Sequence, residues 1–410
     1  MLSYRSVILP IIVSLLTVGC QSVRETSNPP QIRPVLTGLD VLERENFAPI
    51  KNKRIAIITN QSAIDSQGRH LLDVLVSAKS AGITVTKIFS PEHGLYGAVD
   101  HTVGDTVEPK TGLHVYSLYG QTRRPSDAML QDVDLLLFDI QDVGARFYTF
   151  ESTMGICMQE AAKHHIPYLV LDRPNPITGT RIGGPIADKK YFGFTAFGPH
   201  PLMHGMTIGE LARYFNSEYN IHADLTVIPC ENWHRNQWFD STGLLWINPS
   251  PNMRNLTQAE LYPCTCLLEA TNISVGRGTD QPFEFFGAPW IDNIKLSDSL
   301  NNAHIPGLRF TPFDFTPTES KFKGQLCHGI YILVTNRDAL HPVDAGMTIV
   351  WTLHHLFPKD FESEKVKRLL QNDAAYNAML TATDPTTIPQ SWSADLATFQ
   401  AKREPYLLYK

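Results

Sequence analysis

The sequence predicts an α/β protein, a doubly wound Rossmann-like parallel sheet followed by a smaller α+β region that closes a cleft. Three observations predict it. Short, nearly continuous apolar runs alternate with amphipathic helical patterns through the first half, which is how strands buried on both faces by helices read. Polar, Gly and Pro residues gather in the segments that follow those runs, where an open α/β sheet places its ligand crevice. Past residue 255 the alternation gives way to segments richer in Pro, Phe and Trp.

Taken in order, residues 1–20 read as an export signal: Arg5, an apolar run from Val7 to Val18, then Gly19 and Cys20. The run is well short of the ~20 residues that a membrane span needs. Cys20 after a small residue resembles a lipobox, with Thr17 three positions before it and Leu16 one step earlier. Lipidation of Cys20 and a place in the bacterial cell envelope, facing the periplasm, are the expectation. Residues 21–37, polar and Pro-rich, read as a flexible tether. A catalytic Rossmann-like domain is expected over 38–255 and a C-terminal α+β domain over 256–410.

Within the first domain, strands are expected at Arg54–Thr59, Thr84–Phe89, Asp134–Ile140, Pro167–Asp172 and Asp224–Pro229. Between them "HLLDVLVSAKSAG" and "ESTMGICMQEAAKHH" place apolar residues on one helical face, and Thr207 with Glu210 has capping-box spacing. In the second domain the expected strand is Gly329–Asn336, followed by helices over Ala345–Phe357 and around Trp392, Leu396 and Phe399.

A formal charge of -6, with basic residues scattered, argues against nucleic acid and against a polybasic membrane patch. The five cysteines after Cys20 are irregularly spaced and odd in number, so they form no disulfide framework. No G-x-G-x-x-G follows the first strand, no P-loop or G-x-S-x-G occurs, and no histidine pair has H-E-x-x-H spacing. No cofactor is expected. What remains after the strands is Asn60, Gln61, Glu92, His93, Asp139, Asp142, Arg146, Tyr148, Glu151, Arg173 and Asn175. Carboxylates, arginines, amides and aromatics suit glycoside chemistry, which needs a protonated acid at the leaving oxygen and usually a second carboxylate. Glu92, in "SPEHGLYG", lies just past a strand in a turn set by Pro91 and Gly94, a fixed position for a general acid, with His93 beside it. "EATNISVGRGTDQPFEFFGAPW" (269–290) reads as the second wall of the cleft.

The segments "SPEHGLYG", "DIQDVGARFYTF", "LDRPNP", "HGMTIGELA", "PSPNM", "TNISVGRGTDQPFEFFGAPW" and "YLLY", in this order from Gly38 to Lys410, resemble the bacterial exo-β-N-acetylmuramidase family, formerly a domain of unknown function. The resemblance implies release of N-acetylmuramic acid from non-reducing ends of peptidoglycan fragments, and carries the proposed catalytic glutamate onto Glu92. For a second catalytic carboxylate Asp139 is favoured, then Asp142 and Glu284; the substrate's N-acetyl group is the alternative nucleophile. Arg146, Arg173 and Arg277 are candidates for the lactyl carboxylate. His93, Asp142, Tyr148, Asn175, His204, Asn272 and Glu284 complete the expected substrate contacts. Two other readings use the same cleft: a non-catalytic muropeptide-binding envelope lipoprotein, and a metal-dependent hydrolase built on Asp139, Asp142 and His93.

Overall fold

In the computed structural model, which describes residues 33–97, 100 and 103–410, the central sheet has seven strands. In chain order these are β1 (Arg54–Thr59), β2 (Thr84–Ser90), β3 (Thr106–Val107), β4 (His114–Ser117), β5 (Leu135–Asp139) and β6 (Tyr168–Leu171). A separate antiparallel pair, β7 (Gly183–Ile186) and β8 (Pro201–Met203), intervenes before the last of them, β9 (Leu225–Ile228). The order is β3-β4-β2-β1-β5-β6-β9, and every pairing is parallel except that of β3 with β4. The chain leaves β1 toward β2 on one side and later returns to β5 on the other. The switch point of the sheet therefore lies beyond the carboxyl ends of β1 and β5.

Helices cover the sheet: α1 (Gly38–Arg44), α2 (Leu71–Ser77), α3 (Phe150–Lys163) and α4 (Ile208–Glu218). Thr37 and Asp40 form a capping box on α1, and Thr207 and Glu210 form the expected one on α4. The second part opens with α5 (Leu256–Glu269) and sets β10 (Phe285–Ala288), β11 (Leu308–Phe315) and β12 (Cys327–Val334) in an antiparallel sheet of order β10-β12-β11. Helices α6 (Asn293–Asn302), α7 (Pro342–Leu356) and α8 (Lys367–Leu370) follow. Residues 34–410 pack as one compact unit.

The expected strands lie where the apolar runs place them. One boundary moves. Val35 is buried against Cys230 and Trp233, and Leu36 exchanges backbone hydrogen bonds with Glu231 (3.0 and 2.9 Å), so the packed body begins before Gly38 and residues 35–37 are no tether. The signal run, Cys20 and residues 21–32 lie outside the described residues. Cys157, Cys230, Cys264, Cys266 and Cys327 are buried and unpaired. Among the described residues no helix is long and apolar enough to cross a membrane.

Candidate active site

β2 ends at Ser90, and the chain turns at once, with the Gly94 amide bonded to the Pro91 carbonyl at 3.0 Å. His93 and Gly94 both take left-handed backbone (φ 70° and 75°), a conformation that costs a non-glycine residue roughly 1–2 kcal/mol. This tight turn aims the half-buried Glu92 into a cavity of about 500 Å³. The Thr149 hydroxyl donates to Glu92 Oε2 at 2.6 Å. Thr149 is the N-cap of α3, yet its side chain does not cap the helix. Tyr119 lines the same cavity: burial first, then the charge of Glu92, pushes its phenol up to about 12.

The loop after β5 supplies Phe147, Tyr148 and Thr149 to the cavity, and Phe150 joins them from the start of α3. Helix α5 supplies Tyr262, Cys266 and Glu269, spaced four and three residues apart and so on one face. Edge-to-face contacts join the two parts, Phe147 to Tyr262 at 5.1 Å and Tyr262 to Phe283 at 4.8 Å between ring centroids. Asn60 and Gln61, after β1, stand behind the wall: their side-chain amides donate to the carbonyls of Pro249 and Asn248, fixing the segment that brings Ser250, Asn252 and Met253 to the cavity.

Among the described residues three carboxylates line the cavity: Glu92, Asp100 and Glu269. Arg277 bonds both Asp100 and Glu269. Asp100 also accepts from Asn252 Nδ2 at 2.8 Å and lies 3.6 Å from His93 Nδ1. Among the described residues Glu92 is the lining carboxylate without an ion pair.

Of the residues expected from the sequence, Glu92, His93, Tyr148 and Arg277 come together here. Several others do not. Asp139 is fully buried and held by Arg173, through Nε and through Nη2 at 2.8 Å, so it is neither a second catalytic carboxylate nor a metal ligand, and Arg173 cannot be the lactyl anchor. Arg146 is fully buried and donates to the carbonyls of Pro185, His200 and Leu370. Asn175 bonds Met206 and the Ile177 amide, Asn272 bonds Asp360 and Glu362, and Glu284 accepts from Asn255, Gln258 and Tyr331. All of these are scaffold contacts away from the cavity.

Asp142 and His204 lie beneath it, with Glu151 and His200. Asp142 Oδ2 accepts the Gly144 amide at 2.7 Å and stands 3.8 Å from His204 Nε2, which is also 3.8 Å from Glu151 Oε2. Glu151 Oε1 bonds His200 Nε2 at 2.8 Å. Burial raises both acids and lowers both imidazoles, so this group stores protons with little net charge. Tyr148 stands between the two levels: burial chiefly raises its phenol, and the charges of Asp142 and Glu92 add to it. Among the described residues, the three donors that converge closely enough for a metal are the exposed Asp127, the buried Glu160 and the half-buried His164, where Lys163 and Arg124 already pair with the two acids. Asp139, Asp142 and His93 are not brought together as converging donors among the described residues.

Comparison with known proteins decides the family. The model described as "Exo-beta-N-acetylmuramidase NamZ, N-terminal" matches residues 55–257, and its C-terminal counterpart matches 260–409. The chain belongs to the exo-β-N-acetylmuramidase family. It is 42% identical over 393 residues to the peptidoglycan beta-N-acetylmuramidase NamZ of Bacillus subtilis (strain 168), covering 95% of this chain and 94% of that one. Crystal structures of two DUF1343 family proteins from Bacteroides fragilis share its fold. One is 31% identical with a TM-score of 0.85 over 93% of this chain and 100% of its own; the other is 32% identical with a TM-score of 0.75 over 92% and 99%. Membership makes the chain a glycoside hydrolase, and the polar cavity walled by aromatics is a site of the kind that chemistry uses.

The signal for the missed residues was partly present. Tyr262, Cys266 and Glu269 share a helical face, but Pro263 lies within that helix and hides the pattern. Asp100, Tyr119 and Thr149 carry no local mark and are gathered only by the fold.

Proposed function

We propose that this protein releases N-acetylmuramic acid from the non-reducing ends of peptidoglycan fragments, with Glu92 as the general acid and base. One observation carries the choice of Glu92: among the described residues it is the cavity carboxylate free of an arginine, while the Thr149 hydroxyl holds it in place. A carboxyl fixed by a hydroxyl donor can give a proton to a glycosidic oxygen; one locked to a guanidinium cannot readily do so. The aromatic side chains Phe147, Tyr262 and Phe283 offer apolar faces to a sugar ring. Asp100 and Glu269, oriented by Arg277, are the carboxylates near enough to steady the N-acetyl group or the positive charge that develops at the anomeric carbon.

The test uses a soluble form of the protein beginning at residue 21, a chromogenic β-N-acetylmuraminide and its β-N-acetylglucosaminide counterpart. The muraminide should be cleaved, and Glu92→Gln should lower kcat by about 10²–10⁴, the usual weight of general acid–base catalysis, with the fold intact by circular dichroism. A fully active variant would remove Glu92 from the chemistry. No cleavage of either compound, with muropeptide binding retained, would favour a binding protein instead.

The same reading places the protein in the cell envelope, anchored through a lipid on Cys20. Support comes from the apolar run that ends at Gly19-Cys20. Metabolic labelling with a fatty acid should mark the parent chain and not Cys20→Ala; equal labelling would refute the anchor.

A further inference from the structure

Muramic acid differs from glucosamine by a lactyl ether at O3, whose carboxylate is ionised at neutral pH. A partly desolvated cleft must answer that charge with a cation. The inference below rests on the substrate class proposed above.

Two of the three arginines that the sequence offers for this task are buried scaffold residues, Arg146 and Arg173. Arg277 lines the cavity, but its charge is already shared between Asp100 and Glu269. To bind a third carboxylate it would have to bring three anions around one guanidinium. Two further arginines line the cavity, Arg123 and Arg368. Neither forms an ion pair among the described residues.

They differ in how they are held. The guanidinium of Arg123 lies over the ring of Phe194, 4.2 Å from its centroid, and 5.5 Å from that of Tyr119. These two rings are themselves 5.7 Å apart. Stacking on aromatic faces fixes the plane of a guanidinium and leaves its in-plane N–H groups available for a bidentate carboxylate. Its sequence neighbour Arg124 is directed elsewhere, to Glu160 and Gln159. Arg368, on the short helix α8, has no such platform. Tyr119 lies beside both parties: its ring carries Arg123, it shares the cavity wall with Glu92, and the charge of Glu92 acts on its phenol. Glu92 and Arg123 thus line one cavity on either side of Tyr119, so a single sugar can present its glycosidic oxygen to the one and its O3 substituent to the other.

We propose that Arg123, seated on Phe194 and Tyr119, anchors the lactyl carboxylate and so selects muramic over glucosamine substrates. It is a specificity residue that takes no part in the bond-breaking step.

The experiment compares a chromogenic β-N-acetylmuraminide with the same compound carrying its lactyl group as the methyl ester. The wild-type protein should prefer the free acid. Arg123→Ala should lose about 10–150-fold in kcat/KM on the acid, the weight of a hydrogen bond to a charged group, and under about threefold on the ester, so that the preference disappears. Arg123→Lys should restore part of it, because the charge returns without the planar fork. Arg368→Ala should change both compounds by one common factor. Equal losses on acid and ester in Arg123→Ala, or a preference that survives there and vanishes in Arg368→Ala or Arg277→Ala, would overturn the assignment. If the wild type cleaves neither compound, it is the proposed activity that has failed. Calorimetric titration with N-acetylmuramic acid and its methyl ester then decides separately: tighter binding of the acid, abolished in Arg123→Ala, supports the anchor, and equal binding of the two by the wild type refutes it.

Discussion

Thr149 shows how one hydroxyl can serve a site instead of a helix. It occupies the N-cap of α3, where a threonine usually bonds a backbone amide, and donates to Glu92 instead. Thr149→Val should therefore lower kcat about tenfold, the lower end for a hydrogen bond to a charged group, with KM little altered. A matched rise in KM would mean that Thr149 only holds the ground-state complex. Beneath the cavity, burial and then the charge of Glu151 hold the Asp142 carboxyl at about 8, against an ordinary 3.8. The folded protein thus keeps a proton that the unfolded chain releases near pH 4. Stability falls as pH rises between these values and is level above the upper one. Asp142→Asn removes that titration, so its melting temperature should decline less than the parent's between pH 5 and 8.5, with the widest gap at the alkaline end. Identical slopes would show that Asp142 is ionised in the fold throughout. At this scale the sequence was only partly legible. "SPEHG" reveals its acid because strand, proline and glycine stand together, whereas "LDRPNP" looks equally chemical and is scaffold: Asp172 bonds Gly209 and Thr207, Arg173 bonds Asp139, and Asn175 bonds Met206. A charged side chain after a strand can face the crevice or the neighbouring loop, and local sequence does not distinguish the two.

Five of the parallel strands were legible because burial on both faces demands uninterrupted apolar residues, as in β1 and β5, buried at every position but Arg54, whereas the short parallel β4, with an exposed His114 and a half-buried Tyr116, gave no such run. Helix α5 was not. It is buried around most of its circumference, so no polar stripe alternates with an apolar one, and Pro263 falls inside it. Its position depends on α7. A Cβ at Gly346 of α7 would lie 2.5 Å from the Cys264 carbonyl oxygen, so the two helices touch backbone to backbone. Gly346→Ala must push them apart, and overpacking of this kind costs typically about 1–3 kcal/mol. The urea midpoint should fall accordingly, and activity should fall further than stability explains, because α5 carries Tyr262 and Glu269 into the cavity. An unchanged midpoint would show that α7 shifts freely.

Across the whole molecule, Arg146 ties distant parts of the chain together. From the loop after β5 it reaches carbonyls of Pro185, His200 and Leu370 and the side chain of Gln371. Burial lowers its guanidinium to about 10, still charged at neutral pH. Arg146→Met leaves those carbonyls without their donor, at about 1–3 kcal/mol for each buried group left unsatisfied. The expected result is a large drop in melting temperature, together with weaker activity, since α8 borders the cavity through Arg368 and Leu369. A variant as stable as the parent would mean that other donors take over. Arg277 does comparable work at the cavity, joining Asp100, in the first part of the chain, to Glu269 of α5.

Periodicity and composition alone missed β3, β4, β7, β8, β10 and β11 but were enough for the α/β class, the positions of β1, β2, β5, β6, β9 and β12, the α4 capping box and Glu92 just past the end of β2. Each is a local property: burial requires apolar runs, a cap requires a hydroxyl and a carboxylate three residues apart, and a turn requires Pro and Gly. Which charged groups remain available for chemistry was decided only by tertiary contacts. Asp139 with Arg173, Glu284 with Asn255 and Gln258, and Arg277 with two acids are pairings across 34, 29 and 26, and 177 and 8 residues. A side chain's chemistry is fixed by its residue type, but its freedom depends on the partner that folding brings to it.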